Sequence, residues 1–235
     1  MNYSFDTYWK NIFQKRIEND YKTQSIQSKE IIEWHKKYIQ DFGPSLFKDR
    51  KPRVLDIGCG SGYLTNLFCQ FANEVIGVDY EEGFIIEAKS RYLKPKFITG
   101  DIYNLDKIDG IFDLVACFGV MQHISDLDSA LKNIKLKLST RENSKALITT
   151  VNHDSIFYRN NLSYKFTNPK EREKFNYNVF SKEEYHRLSK IHGLKLIRYD
   201  YLFVLPKILE PFNFFVRLLF PSCFSHHIFI EMQHA

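Results

Sequence analysis

Cysteine is scarce in this chain: Cys59, Cys69, Cys117 and Cys223 stand far apart, with no CxxC pair and no clustering with histidine. That spacing excludes a disulfide framework and a zinc site built on cysteine pairs, so the thiols read as reduced and mostly buried. A long apolar run is also missing. The longest, Phe212 to Phe220, is interrupted by Arg217 and falls far short of the roughly 20 residues that a membrane-spanning helix needs. The N-terminus, MNYSFDTYWKNIFQKR, is charged and aromatic, and it lacks the basic-then-apolar order of a secretory signal. A cytoplasmic location is the resulting expectation. Neither an internal repeat nor a low-complexity segment is present.

Strong charge of one sign is lacking as well. The net charge is +5, and residues 51–150 carry 12 Lys and Arg against 13 Asp and Glu, whereas residues 151–203 carry 10 against 6. The basic excess therefore lies outside the central segment, and its size is that of ordinary solvated surface charge. With 235 residues, 44% of them hydrophobic, the chain holds enough apolar material for a single well-buried domain, expected to span residues 1–235.

Phe5, Tyr8, Trp9, Ile12 and Phe13 recur at helical spacing, and a second helix is expected over about 26–40. DFGPSLFKDRKP then reads as a turn-rich linker. From Arg53 onward, short apolar strands (RVLDIG, EVIGVD, KFITGD, IFDLVACF, KALITTV) alternate with amphipathic helices. Such alternation calls for a mostly parallel sheet covered by helices on both faces. Ser181 to Glu184 has the pattern of a capping box, with Phe180 and Tyr185 as its hydrophobic staple, and Gly193 supplies a helix stop. LKLIRYDYLFV and HHIFIEM read as the last two strands. Together these predict an α/β, Rossmann-like sheet of seven strands, the last one antiparallel.

The chemistry is concentrated at the strand ends. Val54 to Gly62 (VLDIGCGSG) runs an apolar strand into three glycines spaced GxGxG and then a helix. Glycines there let the backbone turn sharply and approach a ligand closely. A dinucleotide site would show GxGxxG, with the third glycine one residue later. Asp79 ends the second strand 19 residues after Gly60, where a carboxylate accepts hydrogen bonds from ribose hydroxyls. Gly100-Asp101-Ile102 closes the third strand with one acceptor and one apolar side chain at the same sheet edge.

VLDIGCGSG, VIGVDY, GDI and FDLVACFGVMQHI, taken in this order, resemble the signature segments of the small-molecule class I methyltransferases, the broad type 11 group; the likeness covers about residues 53–152. The resemblance implies S-adenosylmethionine as methyl donor and no metal. It would place Asp56, Gly58, Gly60 and Gly62 along the methionine portion and Asp79 on the ribose. Tyr80 and Ile102 would sandwich the adenine, Asp101 would accept from its amine, and Phe118 and Gly119 would pass beneath the sulfonium. His123, a few residues past the fourth strand, is the candidate catalytic base for a hydroxyl acceptor. An alternative role for it is to orient a loop.

The remaining segments divide into an N-terminal helical lid (1–50), a donor-binding core (51–152) and acceptor-side additions with the last two strands (153–235). His153, Tyr158, Arg159 and the insertion at about 205–225 are expected near the acceptor. Phe212, Phe215, Val216 and Leu219 have helical spacing, which suits core packing, a homodimer contact or a membrane surface. His226 and His227 adjoin in the last strand and are expected on opposite faces.

Phe118-Gly-Val-Met stands where a DNA amino-group methylase would carry Asn/Asp-Pro-Pro-aromatic, and Ala116 precedes Cys117 where a cytosine-C5 enzyme needs proline. DNA is therefore not an expected partner. The expected partner is a small polar acceptor, such as a sugar, a phosphorylated metabolite or a surface-glycan precursor. RNA methylation and donor binding without turnover stay open as alternatives.

Overall fold

The computed structural model describes residues 29–48, 50–156, 178–202 and 221–235. The expected N-terminal lid helix, Tyr158, Arg159 and the apolar face from Phe212 to Leu219 lie outside these residues. Helix α1 (Lys29–Leu46) precedes β1 (Arg53–Ile57), α2 (Tyr63–Phe68), β2 (Glu74–Asp79), α3 (Glu82–Arg91) and β3 (Lys96–Thr99). Next come β4 (Leu114–Phe118), a 3₁₀ turn at Met121–His123, α4 (Leu127–Lys137) and β5 (Lys145–Val151). The chain closes with α5 (Lys182–Ile191), β6 (Leu194–Leu202), the short α6 (Pro221–Phe224) and β7 (His227–His234).

All seven strands join one sheet in the order β3-β2-β1-β4-β5-β7-β6. The first five run parallel, and β7 enters antiparallel between β5 and β6. Since β1, β4 and β5 are buried on both faces, their residues are mostly apolar rather than alternating. One face packs Ile31, Ile39 and Phe68 of α1 and α2 against Val54, Leu114 and Leu147. The opposite face packs Leu131 and Ile134 of α4 and Tyr185 and Leu188 of α5 against Leu55, Val115 and Ile148.

Two local readings need correction. Helix α1 does not end at residue 40: it continues through Gly43 and Pro44 to Leu46, so the first part of the expected linker is helical. A Cβ on Gly43 would lie 2.5 Å from the ring of Phe71, so the missing side chain lets the helix press on that ring. Pro44 sits in the last turn, where its lost N–H costs one hydrogen bond and leaves no later turn to be kinked. His226 precedes β7 instead of lying within it.

The helix-end signals are realised in full. The Ser181 hydroxyl accepts the Glu184 N–H at 3.2 Å, while the Glu184 carboxylate accepts the Ser181 N–H at 2.7 Å. Phe180 meets Tyr185 edge-on, with centroids 6.3 Å apart, and Gly193 adopts φ 67. Because both partners of the box are used, Ser181→Ala should lower stability by about 1 kcal/mol. Urea denaturation checks this, and an unchanged midpoint would mean that α5 is held by its buried face alone.

Candidate functional site

Register brings the strand ends together. Ile57 pairs with Val78 and with Cys117, and Asp79 pairs with Thr99, so the carboxyl ends of β1, β2, β3 and β4 form one edge. In open α/β sheets ligands bind outside such an edge. The glycine turn is seated there by β2: the amides of Gly58 and Cys59 both donate to the Val78 carbonyl, at 2.7 and 3.0 Å. Gly58, Gly60 and Gly62 all have positive φ, at 74, 52 and 85.

The three glycines serve different needs. A Cβ on Gly58 would lie 2.1 Å from Cγ2 of Val120, and one on Gly62 would lie 2.6 Å from the tip of Phe97. These two glycines let the turn pack against β3 and the segment after β4. At Gly60 nothing lies within 4 Å of the added atom, so the backbone there faces open space.

Asp79 joins the turn to β2. Its Oδ2 accepts the Gly60 N–H at 2.8 Å and its Oδ1 accepts the Glu81 N–H at 3.0 Å. A carboxylate has about four acceptor sites, so these two amides orient it without exhausting it. Asp56 is buried, and its Oδ2 accepts the Thr65 hydroxyl at 2.6 Å. Burial raises the Asp56 pKa to about 7; the Thr65 hydrogen bond opposes the rise and the charge of Asp79 adds to it. Two acids thus crowd one edge.

Tyr80 is 45% exposed where it leaves β2, while Ile102 is only 7% exposed. Asp101 turns part of its carboxylate inward: Oδ1 accepts the Tyr103 N–H at 2.9 Å and closes a turn. Gly119 has φ 73 and donates its N–H to the Thr149 carbonyl at 2.8 Å. The Phe118 ring points into the core, stacked on His35 with centroids 4.4 Å apart. Only its backbone is left to face the edge.

His123 ends the 3₁₀ turn after β4 and is partly buried. Burial lowers its imidazole from 6.5 to about 4. His35 is fully buried, with Nε2 at 2.8 Å from the Thr149 hydroxyl, and burial together with nearby His227 brings it down to about 3. His153 Nδ1 lies 2.9 Å from Oδ1 of its neighbour Asp154.

Thr65, Tyr103 and His35 escaped the sequence reading. Thr65 follows Gly62 by three residues and Tyr103 follows Ile102 directly, so position relative to the motifs was their only signal. His35 had none, because its partner Thr149 is 114 residues away.

A sequence profile described as a methyltransferase domain matches residues 55–140. Those residues include the glycine turn, Asp79, Asp101 and His123. Residues 55–140 therefore carry the sequence of a methyltransferase domain. Around this methyltransferase domain the similarity to curated proteins is partial. The chain is 36% identical over 73 residues to a probable S-adenosylmethionine-dependent methyltransferase of Mycolicibacterium smegmatis, covering 31% of this chain and 28% of that protein. It is 30% identical over 118 residues to a ubiquinone biosynthesis O-methyltransferase of Coxiella burnetii, covering 48% of this chain and 47% of that one. The chain therefore spans less than half the length of these curated relatives. The fold extends further. A magnesium protoporphyrin IX methyltransferase structure from Synechocystis with bound S-adenosylhomocysteine superposes with a TM-score of 0.65 at 16% identity, covering 98% of this chain and 96% of that one. A Clostridium acetobutylicum S-adenosylmethionine-dependent methyltransferase gives 0.63 at 16% identity, covering 97% and 98%.

The glycine geometry of the methyltransferase domain separates packing from ligand access. Gly58→Ala and Gly62→Ala meet both a left-handed backbone and a steric neighbour, and each should cost roughly 2–5 kcal/mol; Gly60→Ala meets the backbone cost alone, about 1–2 kcal/mol. Thermal unfolding of the three variants checks the ranking, and equal losses would contradict it.

Proposed function

We propose that this chain is an S-adenosylmethionine-dependent methyltransferase acting in the cytoplasm on a small polar acceptor, by O-methylation of a hydroxyl. One observation carries the donor half of this reading: the Asp79 carboxylate accepts the Gly60 amide at 2.8 Å, which makes the glycine turn and the acid of β2 one rigid unit beside open space. Asp79 would hold the ribose hydroxyls, and Asp56, Gly58, Gly60 and Gly62 the methionine portion. Tyr80 and Ile102 would enclose the adenine, Asp101 would accept from its amine through the oxygen not used in the turn, and the Phe118–Gly119 backbone would pass under the sulfonium. The residues fit such a ligand in charge as well, since two neighbouring acids favour a cation.

When bound, the donor supplies a methyl group activated by a positive sulfur, so the reaction is an in-line displacement that chiefly needs alignment and exclusion of water. The protein's part is to hold the acceptor oxygen and take its proton. His123 would accept that proton; burial keeps its imidazole neutral at pH 7, and a neutral imidazole has the lone pair that a base requires.

Support for a hydroxyl acceptor comes from His123, whose neutral imidazole can take a proton but brings no charge to a phosphate. O-methylation is also what the Coxiella relative is named for.

Calorimetry tests the donor site. S-adenosylhomocysteine should bind, and Asp79→Ala should weaken it by about 2–4 kcal/mol, because the change removes charge-assisted contacts and releases the Gly60 amide. Unaltered affinity in a folded Asp79→Ala protein would misplace the ribose.

The base makes a separate prediction. With a hydroxyl acceptor, His123→Ala should keep donor affinity while turnover falls by about 10²–10⁴-fold. The wild-type rate should hold level as pH drops through 6.5 and fall only toward about 4, where the imidazole of His123 takes up its proton. A pH–rate profile with its limb near 6.5 would remove His123 from the role of base.

A further inference from the structure

Tyr103 stands between the two loops that the methyl donor would span, and every polar group it owns is engaged there. Its phenolic oxygen accepts the backbone N–H groups of Ser125 at 2.9 Å and Asp126 at 3.0 Å. Asn133 on α4 donates its side-chain amide to the Tyr103 carbonyl at 3.0 Å. The Tyr103 N–H donates to Asp101 Oδ1 at 2.9 Å, closing the turn that carries Ile102. One side chain thus ties the segment after β3 to the segment 121–126.

That second segment is held from its other side too. Asn178 donates through its backbone to the Gln122 carbonyl at 3.0 Å and through its side chain to the Ile124 carbonyl at 2.6 Å, while Thr150 donates its hydroxyl to Gln122 Oε1 at 3.1 Å. These bonds anchor residues 122–124 to the acceptor side of the sheet. Tyr103 alone among the side chains described supplies hydrogen bonds to the backbone amides of 125 and 126 from the β3 side. Asp126 is also the N-cap of α4, its carboxylate accepting the Ser129 N–H at 3.1 Å, so the phenol acts at the point where the turn carrying His123 becomes helix.

We propose that Tyr103 is a positioning residue for methyl transfer: its phenol couples the adenine-side loop at 101–103 to the turn that carries His123. Ordering of the first loop by a bound nucleoside is thereby passed to the second. This rests on the donor reading of the site given above. Tyr103 need not touch the reacting atoms. A phenol accepting two N–H groups is a stiff link, because the ring has only two rotatable bonds and its far end is fixed in direction by the two donors. A phenylalanine keeps the ring and loses the link.

The experiment compares wild type with Tyr103→Phe, using S-adenosylhomocysteine as probe and amide hydrogen exchange at Ser125 and Asp126 as readout. Ser181→Ala, a remote variant that lowers stability without touching either loop, serves as control. In wild type the probe should slow exchange of both amides. In Tyr103→Phe these amides should exchange faster in the free protein, saturating probe should no longer slow them, and probe affinity should fall about 5-fold, the equivalent of one net hydrogen bond. Ser181→Ala should keep wild-type affinity and protection. Equal protection of Ser125 and Asp126 by saturating probe in wild type and Tyr103→Phe would overturn the coupling. So would a Tyr103→Phe protein that matches Ser181→Ala in every readout, because the phenol would then be a structural strut only. Failure of the wild type to bind the probe would fall on the donor reading itself, and would take the coupling with it.

Discussion

The hydrogen bond from the Gly60 amide to the Asp79 carboxylate is the contact on which the rest of the site depends. The glycine turn carries only two short side chains, Cys59 and Ser61, and its three positive-φ glycines lose more chain entropy on ordering than other residues would. Its form is therefore imposed from β2, by the Val78 carbonyl below and the Asp79 carboxylate beside it. Once the turn is set, Thr65 on the first turns of α2 reaches Asp56, and Gly58 leaves room for Val120. The segment after β4 is thus positioned by the same turn that positions the acids.

Crowding two carboxylates at that edge has an energetic consequence. The charge of Asp79 favours the neutral form of Asp56, and burial has already driven Asp56 to about 7. A ligand that brings positive charge relieves both effects, whereas one that brings a pyrophosphate increases them. Charge therefore agrees with the GxGxG spacing in disfavouring a dinucleotide. Spacing is a steric argument and charge an electrostatic one, so the two are independent.

The strands, the helix cap at Ser181, the stop at Gly193 and the convergence of Gly60, Asp79 and Ile102 were legible in the sequence because each rests on residues near one another in the chain. Periodicity, a four-residue box and a glycine at a helix end need no knowledge of what packs on them. What was not legible depends on distant partners. The packing of Gly43 on Phe71 in the last turns of α1 is such a contact, and the depressed pKa of His123 follows from burial that no local pattern reports. Asp101 was legible as an acceptor at the right edge, but its use in closing the Tyr103 turn was not, since an aspartate that accepts an amide two residues on looks like any other in sequence.

Acids end β2 and lie within β1 at this edge, and His123 stands just past β4. A base whose pKa has fallen to about 4 looks poorly suited to taking a proton from an alcohol, which is far less acidic than imidazolium. The mismatch disappears once the timing of the proton is considered. As the acceptor oxygen bonds to the methyl carbon it loses electron density and moves toward an oxonium, a far stronger acid than imidazolium. Transfer to His123, were it the base, would then be downhill even at its lowered basicity, provided that the proton moves late. Early deprotonation would instead require a base closer to the alcohol in strength, and burial of His123 works against that. The same burial favours the unprotonated form, which is the form a base requires. A base of this kind would suit the proposed neutral hydroxyl, which becomes acidic only as it is methylated.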